Sequence, residues 1–148
     1  MTITENKKTL AAVLDNIWSK GDVASVDRYV HPTYTIFHDP GDPFDGQTLD
    51  LDGYKHRLIT SRHPFPDQAF TVVDMIGEGD KVATSWTWQA THMADFPGFP
   101  ASKKPVKMSG LTIYSFKDGK VCGHWQMVNR LGVYQQLQAN AEHLQPGK

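Results

Sequence analysis

From Lys81 to His92 the residues fall into two classes that alternate without a break, and few local structures accept that pattern. Val82, Thr84, Trp86, Trp88, Ala90 and His92 fall on one side, and Ala83, Ser85, Thr87, Gln89 and Thr91 on the other. Successive side chains of a β-strand point to opposite faces, so this segment is a strand with one face turned into a core. Two tryptophans on that face need a thick apolar layer against them. The chain therefore has to build a sheet covered on one side.

The neighbouring segments supply the rest of that sheet. Phe70 to Ile76 is rich in β-branched residues, and Gly77-Glu78-Gly79-Asp80 reads as the hairpin turn leading into the first strand. Val106 to Phe116 reads as a strand paired through Lys117-Asp118-Gly119-Lys120 with another from Val121 to Asn129. Ahead of them, Leu10, Val13, Leu14, Ile17 and Trp18 form one stripe of a 3.6-residue period, with Thr2 or Thr4 as cap and Gly21 as terminator. A shorter helix, capped by Asp22 and facing inward through Val23, Val26, Tyr29 and Val30, is expected to stop at His31-Pro32. Thr33 to His38 alternates as a strand with Tyr34, Ile36 and His38 on one face; Asp39 to Asp50 reads as a loop. Leu51, Tyr54, Leu58 and Ile59 suggest a third helix, and Val133, Tyr134 and Leu137 a last one.

The order α-α-β-α-β-β-β-β-α has no βαβα alternation and no phosphate-binding glycine fingerprint, which sets aside Rossmann and P-loop folds. The expected fold is α+β: a strongly curved, mainly antiparallel sheet with helices on one face, forming a cone around a pocket open at one end. Trp18, Leu14, Ile36, Leu58, Val82 and Trp86 are its expected core. The 148 residues suit one domain, 1–148.

Composition narrows the partners. A formal net charge of −1, with no basic run longer than Lys7-Lys8 or Lys103-Lys104, gives no footprint for nucleic acid. No stretch of eighteen apolar residues and no secretory leader pattern is present, so neither a membrane nor export is expected. The single Cys122 reads as a small apolar strand residue in a reducing compartment. The expected location is cytoplasmic.

Strand ends near an open mouth are where polar side chains can meet a ligand. His92 ends the Trp86–Trp88 face and His38 ends the Tyr34–Ile36 face, so both are candidate general bases. His31, His56, His63 and His143 fall at helix ends or on exposed faces. His38, His92 and His124 lack the HxH or HExxH spacing of a metal site, and no G-x-S-x-G elbow is present; no metal and no cofactor is expected. Asp39, Asp42, Asp45, Asp50 and Asp52 read as solvated loop charge, Asp39 standing out by its position beside His38. Phe96-Pro97-Gly98-Phe99-Pro100 is either a lid or a long hairpin connection.

Several motifs then occur in an order that resembles a known family. His63-Pro-Phe-Pro-Asp67, Gly77-Glu-Gly-Asp-Lys-Val82, Ala90-Thr-His92, Gly98-Phe-Pro100, Ser109-Gly110, Asp118-Gly-Lys-Val-Cys-Gly-His-Trp125 and Leu131-Gly132 with Gln135-Gln136-Leu137 together resemble the SnoaL-like polyketide cyclases of the NTF2-like superfamily. The resemblance covers nearly the whole chain. It implies ring closure by intramolecular aldol condensation without metal or cofactor, and a homodimer. It also implies that the faces His124-Gln126-Val128 and Thr112-Tyr114-Phe116 line the pocket. The family's catalytic aspartate falls on Gln126 and a pocket histidine on Thr112, and an amide can polarise a carbonyl but cannot take a proton.

The expectation is thus a cofactor-independent enzyme acting on a hydrophobic carbonyl compound, polyketide-like or polycyclic, by cyclisation, isomerisation or hydration and dehydration. His92 or His38 would be the base; Gln126 and Tyr114 would hold the enolate oxygen; Tyr34, Trp88, Thr112 and His124 would complete the binding surface. The alternatives are an epoxide- or ester-opening enzyme and a non-catalytic module for a lipophilic ligand.

Overall fold

The computed structural model describes residues 2–142, so His143 lies outside the described residues. Helix α1 (Ile3–Ala12) begins at Thr2, whose hydroxyl accepts from the Glu5 amide, and continues as a π-helical stretch, Val13–Ser19. Leu10, Val13, Leu14 and Ile17 are buried as one stripe, while Trp18 is half-buried. The stretch ends at Gly21, with φ of 71° and its amide bonded to the Ile17 carbonyl. The expected second helix is shorter than its pattern suggests: a 3₁₀ turn, Val23–Ser25, and one α-turn, α2 (Val26–Tyr29). Val30, His31 and Pro32 belong instead to strand β1 (Val30–His38).

A two-residue strand, β2 (Thr48–Leu49), interrupts the expected loop before helix α3 (Leu51–Arg62), which Asp50 caps by accepting from the Gly53 amide. Strands β3 (Ala69–Glu78), β4 (Lys81–Thr91), β5 (Pro105–Lys117) and β6 (Lys120–Val128) follow, then helix α4 (Arg130–Glu142). The six strands form one sheet in the order β2-β1-β6-β5-β4-β3. All pairs are antiparallel except β1 with β6, which lets the N-terminal strand close against the last one. The β5–β6 turn places Asp118 and Gly119 at φ of 53° and 76°, the backbone such tight hairpins need. The α+β cone is the observed fold, its sheet mixed through this one parallel pair.

Two buried clusters fill the covered face. One joins Leu10, Val13, Ile17, Tyr34, Ile36, Tyr54 and Leu58 between the helices and β1; the other joins Phe65, Trp86, Trp88, Ala90, Val106 and Leu137. Trp86 packs directly over Gly110 of β5, its cross-strand partner, where any Cβ would overlap the indole ring. The ring is pinned by the hydrogen bond from its Nε1 to the Thr112 hydroxyl, 2.9 Å, and has little room to yield. Gly110→Ala is therefore expected to lower stability by about 1–3 kcal/mol, as overpacking of a tight core does, read as a fall in melting temperature.

Candidate active site

The alternation of β1 holds through Tyr34 and Ile36 and then breaks. Its register against β6 shifts between Ile36 and His38, a bulge that turns one extra residue outward. Phe37 is exposed, and His38 lies on the outer face stacked flat on Trp125, ring centroids 4.5 Å apart. Asp39 takes the inward position and is fully buried.

Four groups converge on that carboxylate. His124 Nε2 lies 2.9 Å from Oδ2, Gln126 Nε2 3.1 Å, and Arg57 NH2 3.3 Å, while Arg130 NH2 donates to Oδ1 at 2.7 Å. The Asp39 amide itself donates to Asp45 Oδ1 at 2.7 Å, which fixes the turn. Arg57 also reaches Asp42 at 3.1 Å and lies over the Trp18 ring. Gly41, at φ of 92°, leaves the space that the Arg130 side chain occupies. Burial alone would push the Asp39 carboxyl up. The His124 hydrogen bond and the Arg57 and Arg130 charges outweigh it and hold the group below the usual carboxylate range.

An ionised Asp39 only accepts, so His124 Nε2 carries the hydrogen. The opposite nitrogen, Nδ1, sits 2.6 Å from the Tyr34 hydroxyl and must accept from it. Burial lowers the His124 pKa from its ordinary value and outweighs the neighbouring Asp39, leaving the ring neutral near pH 7. The result is a chain of hydrogen bonds, Tyr34 to His124 to Asp39, with a basic nitrogen facing a phenol. Burial pushes the Tyr34 phenol well above its ordinary value, so it starts protonated.

Tyr34, Tyr114, His124, Gln126, Arg57 and Arg130 line the polar end of a cavity of about 790 Å³. Its walls are aromatic and apolar: Trp18, Trp86 and Trp88 with Phe65, Phe70 and Val128. The volume suits a multi-ring small molecule, within the roughly 300–1,000 Å³ of ordinary ligand pockets. Phe96 and Pro97, from the connection between β4 and β5, stand at its rim beside Tyr134.

The comparisons with known proteins agree with this architecture. The family model of the SnoaL-like polyketide cyclases matches residues 8–137. The chain belongs to the SnoaL-like polyketide cyclase family. Among solved structures, a protein of Acidithiobacillus ferrooxidans provisionally assigned as a polyketide cyclase is 46% identical, with a TM-score of 0.90 over 95% of this chain and 100% of that one. IdmH of Streptomyces antibioticus, given the same provisional assignment, is 25% identical over 90% of this chain and 98% of its own, with a TM-score of 0.78. AclR of Streptomyces galilaeus, provisionally a hydroxylase, shares the fold at 21% identity and a TM-score of 0.78, covering 93% of this chain and 98% of its own. No curated protein matches the sequence.

Within this SnoaL-like cone the expected site residues separate. Tyr34, Trp88, Tyr114, His124 and Gln126 line the cavity. Thr112 is buried behind Gln126 and holds it rather than meeting a ligand, donating to its Oε1 at 2.7 Å. His38 is carried outward by the bulge, and neither it nor His92 is among the residues that line the cavity. His92 lies under the β4–β5 connection against Phe65, buried, with both ring nitrogens lacking partners. His63, expected at a helix end or on an exposed face, is also among the lining residues, as is the exposed Ile59. Asp39 is the centre of the site and not solvated loop charge. Arg57 and Arg130, which line the cavity and hold Asp39, are candidate site residues that periodicity did not select. A charged side chain flanking the Tyr54–Leu58 stripe, opposite the Asp39–Asp42 acids, was the available signal for Arg57.

Among the described residues no group of three or more His, Cys, Asp and Glu is placed to hold a metal ion, and no helix is long and apolar enough to cross a membrane. Burial raises the Cys122 thiol, which keeps it protonated and unreactive on β6.

The orphaned His92 ring yields a stability prediction. Burial holds its pKa below the ordinary value of about 6.5, against the smaller opposing pulls of the Ala94 backbone and then Asp95. The unfolded chain therefore takes up the proton first, and stability present above that ordinary pKa is lost as pH falls below it. His92→Phe keeps the ring packing on Phe65 and removes two unpartnered polar atoms. It is expected to melt at or above the wild-type temperature at pH 7.5, with the advantage growing down to pH 5 in thermal melts across that range.

Proposed function

We propose that this protein is a cofactor-independent enzyme that moves a proton on a hydrophobic, multi-ring carbonyl compound, with ring closure by aldol addition as the outcome. The observation carrying this reading is the Tyr34–His124–Asp39 chain at the polar end of an aromatic cavity. The substrate carbonyl accepts from the Gln126 amide. A proton on the adjacent carbon passes to the Tyr34 oxygen as the Tyr34 hydrogen passes to His124 Nδ1. The imidazolium so formed has its Nε2–H on Asp39, whose negative charge stabilises it as the aspartate of a catalytic triad does.

The enolate carbon then attacks a second carbonyl of the same molecule. One carbon–carbon bond forms, and the new alkoxide takes the proton back from Tyr34 while His124 returns its own to the phenol. Nothing is oxidised or lost. Asp39 is not the base: four donors, two of them guanidinium groups, make its carboxylate a poor one. The base contributes on the order of 10²–10⁴ in rate and an oriented donor on the enolate oxygen about 10²–10³.

Deuterium exchange tests this without knowledge of the natural substrate. In D₂O the protein is expected to accelerate exchange at C2 of 1-tetralone, followed by proton NMR. Tight binding of such ketones with exchange at the buffer rate would favour the lipophilic-ligand module instead.

The homodimer is part of the proposal. On the outer face of β5 and β6, Leu111 pairs with Met127 and Ile113 with Trp125, all four substantially exposed. A second copy covering this face is expected to give twice the chain mass in sedimentation equilibrium.

A further inference from the structure

The donors and acceptors around Gln126 admit one arrangement only. Trp86 Nε1–H can only donate, and it donates to the Thr112 hydroxyl oxygen at 2.9 Å. That leaves the single Thr112 hydrogen free to point at the next neighbour, the Gln126 amide, 2.7 Å away. The end of the amide meeting Thr112 is therefore its oxygen. From the other side, Asp39 can only accept, so the end of the amide 3.1 Å from its Oδ2 is the nitrogen. Both ends agree, and a flipped amide would set Thr112 against an N–H group and Asp39 against a carbonyl. Thr112 is fully buried and Trp86 nearly so, which keeps water from substituting for either partner.

With Oε1 turned to Thr112 and Nε2 set 3.1 Å from Oδ2 and 3.3 Å from Oδ1 of Asp39, one N–H serves the carboxylate and the other is the donor that Gln126, a lining residue, has to offer the cavity. We infer that the Trp86–Thr112 pair is a positioning unit that holds the Gln126 oxygen toward Thr112 and leaves its N–H edge for the ligand, so that the site prefers ligands presenting a carbonyl or enolate oxygen there over the same skeleton without it. This rests on the proposed carbonyl chemistry and adds which residues enforce it. Thr112 touches no ligand; it acts through Gln126.

Binding of 9-fluorenone and fluorene, which differ only by C=O against CH₂ in one rigid frame, tests the inference. Neither depends on turnover, since fluorenone has no hydrogen on the carbon beside its carbonyl. Dissociation constants are read by tryptophan fluorescence for wild type, Thr112→Val and Thr112→Ser, with melting curves alongside. The wild-type preference for fluorenone over fluorene is expected to exceed that of Thr112→Val by about tenfold, the scale of one oriented hydrogen bond. Thr112→Ser, which keeps the hydroxyl, is expected to restore it. Equal preference in wild type and Thr112→Val, failure of Thr112→Ser to restore it, or no binding of fluorenone at all would overturn the inference. Intact discrimination with no 1-tetralone exchange would instead leave the inference standing and count against the proton-transfer reading.

Discussion

Asp39→Ala is expected to cost about 3–5 kcal/mol of stability, the scale of removing one partner from a buried charge cluster. The loss leaves Arg57, which is buried, without half of its counter-charge, strips Arg130 of its partner and leaves His124 Nε2–H unpaired. Asp39→Asn keeps the shape and should cost less, but an amide cannot accept from all four donors and must turn its own N–H toward one of them. Urea unfolding measures both. The same cluster sets the acid limit of the fold. The Asp39 pKa is depressed, so its stabilisation is present above the ordinary carboxylate pKa of about 3.9 and is lost as pH falls through the folded value.

Tyr34→Phe is expected to lower turnover by about a hundredfold or more, the usual range for losing a proton-transfer group, with the fold retained. The change removes one oxygen from a ring packed edge-on against Tyr54 and leaves His124 Nδ1 bare at the cavity. Binding of ketones should barely change, because the lost hydroxyl carries a proton and does not anchor the carbonyl. The pH profile separates the roles further. Activity needs neutral His124, whose pKa burial lowers, so the acid limb of the wild-type rate should fall below about pH 6.5. His92→Phe should leave both rate and limb unchanged. A large loss in His92→Phe with none in Tyr34→Phe would return the base to the β4 terminus.

The sheet was legible because a two-residue period survives any curvature: every inward residue of β4 from Val82 to Ala90 is buried as the alternation requires. Helix α1 was legible through its stripe, although the stripe did not show that the second half is π-helical. The candidate site was legible only where strands stay regular. Thr112, Tyr114, His124 and Gln126 lie inward on two uninterrupted stretches, as their spacing and the family motifs imply. Asp39 and His38 exchanged places because a bulge adds one residue between them and Ile36, and one residue reverses every face beyond it. His92 has the right alternation and the wrong depth: the β4–β5 connection folds over it, with the His92 amide bonded to the Lys104 carbonyl and the Lys103 amide to its own. Periodicity gives a face, not a distance along the cavity. Arg57 and Arg130 were invisible to it because their partner, Asp39, meets them only after α3, β1 and α4 are assembled.

Nitrogen NMR of His124 in the ¹⁵N-labelled protein tests the account most directly, since everything rests on a neutral imidazole with its free nitrogen toward Tyr34. Long-range ¹H–¹⁵N correlations at pH 7 are expected to show His124 protonated at Nε2 alone, with Nδ1 at the shift of an unprotonated ring nitrogen accepting a hydrogen bond. In Tyr34→Phe that nitrogen should move toward the shift of a bare acceptor. A ring protonated at Nδ1, or an imidazolium at pH 7, would contradict the account, because His124 would then have no lone pair with which to take the phenol hydrogen.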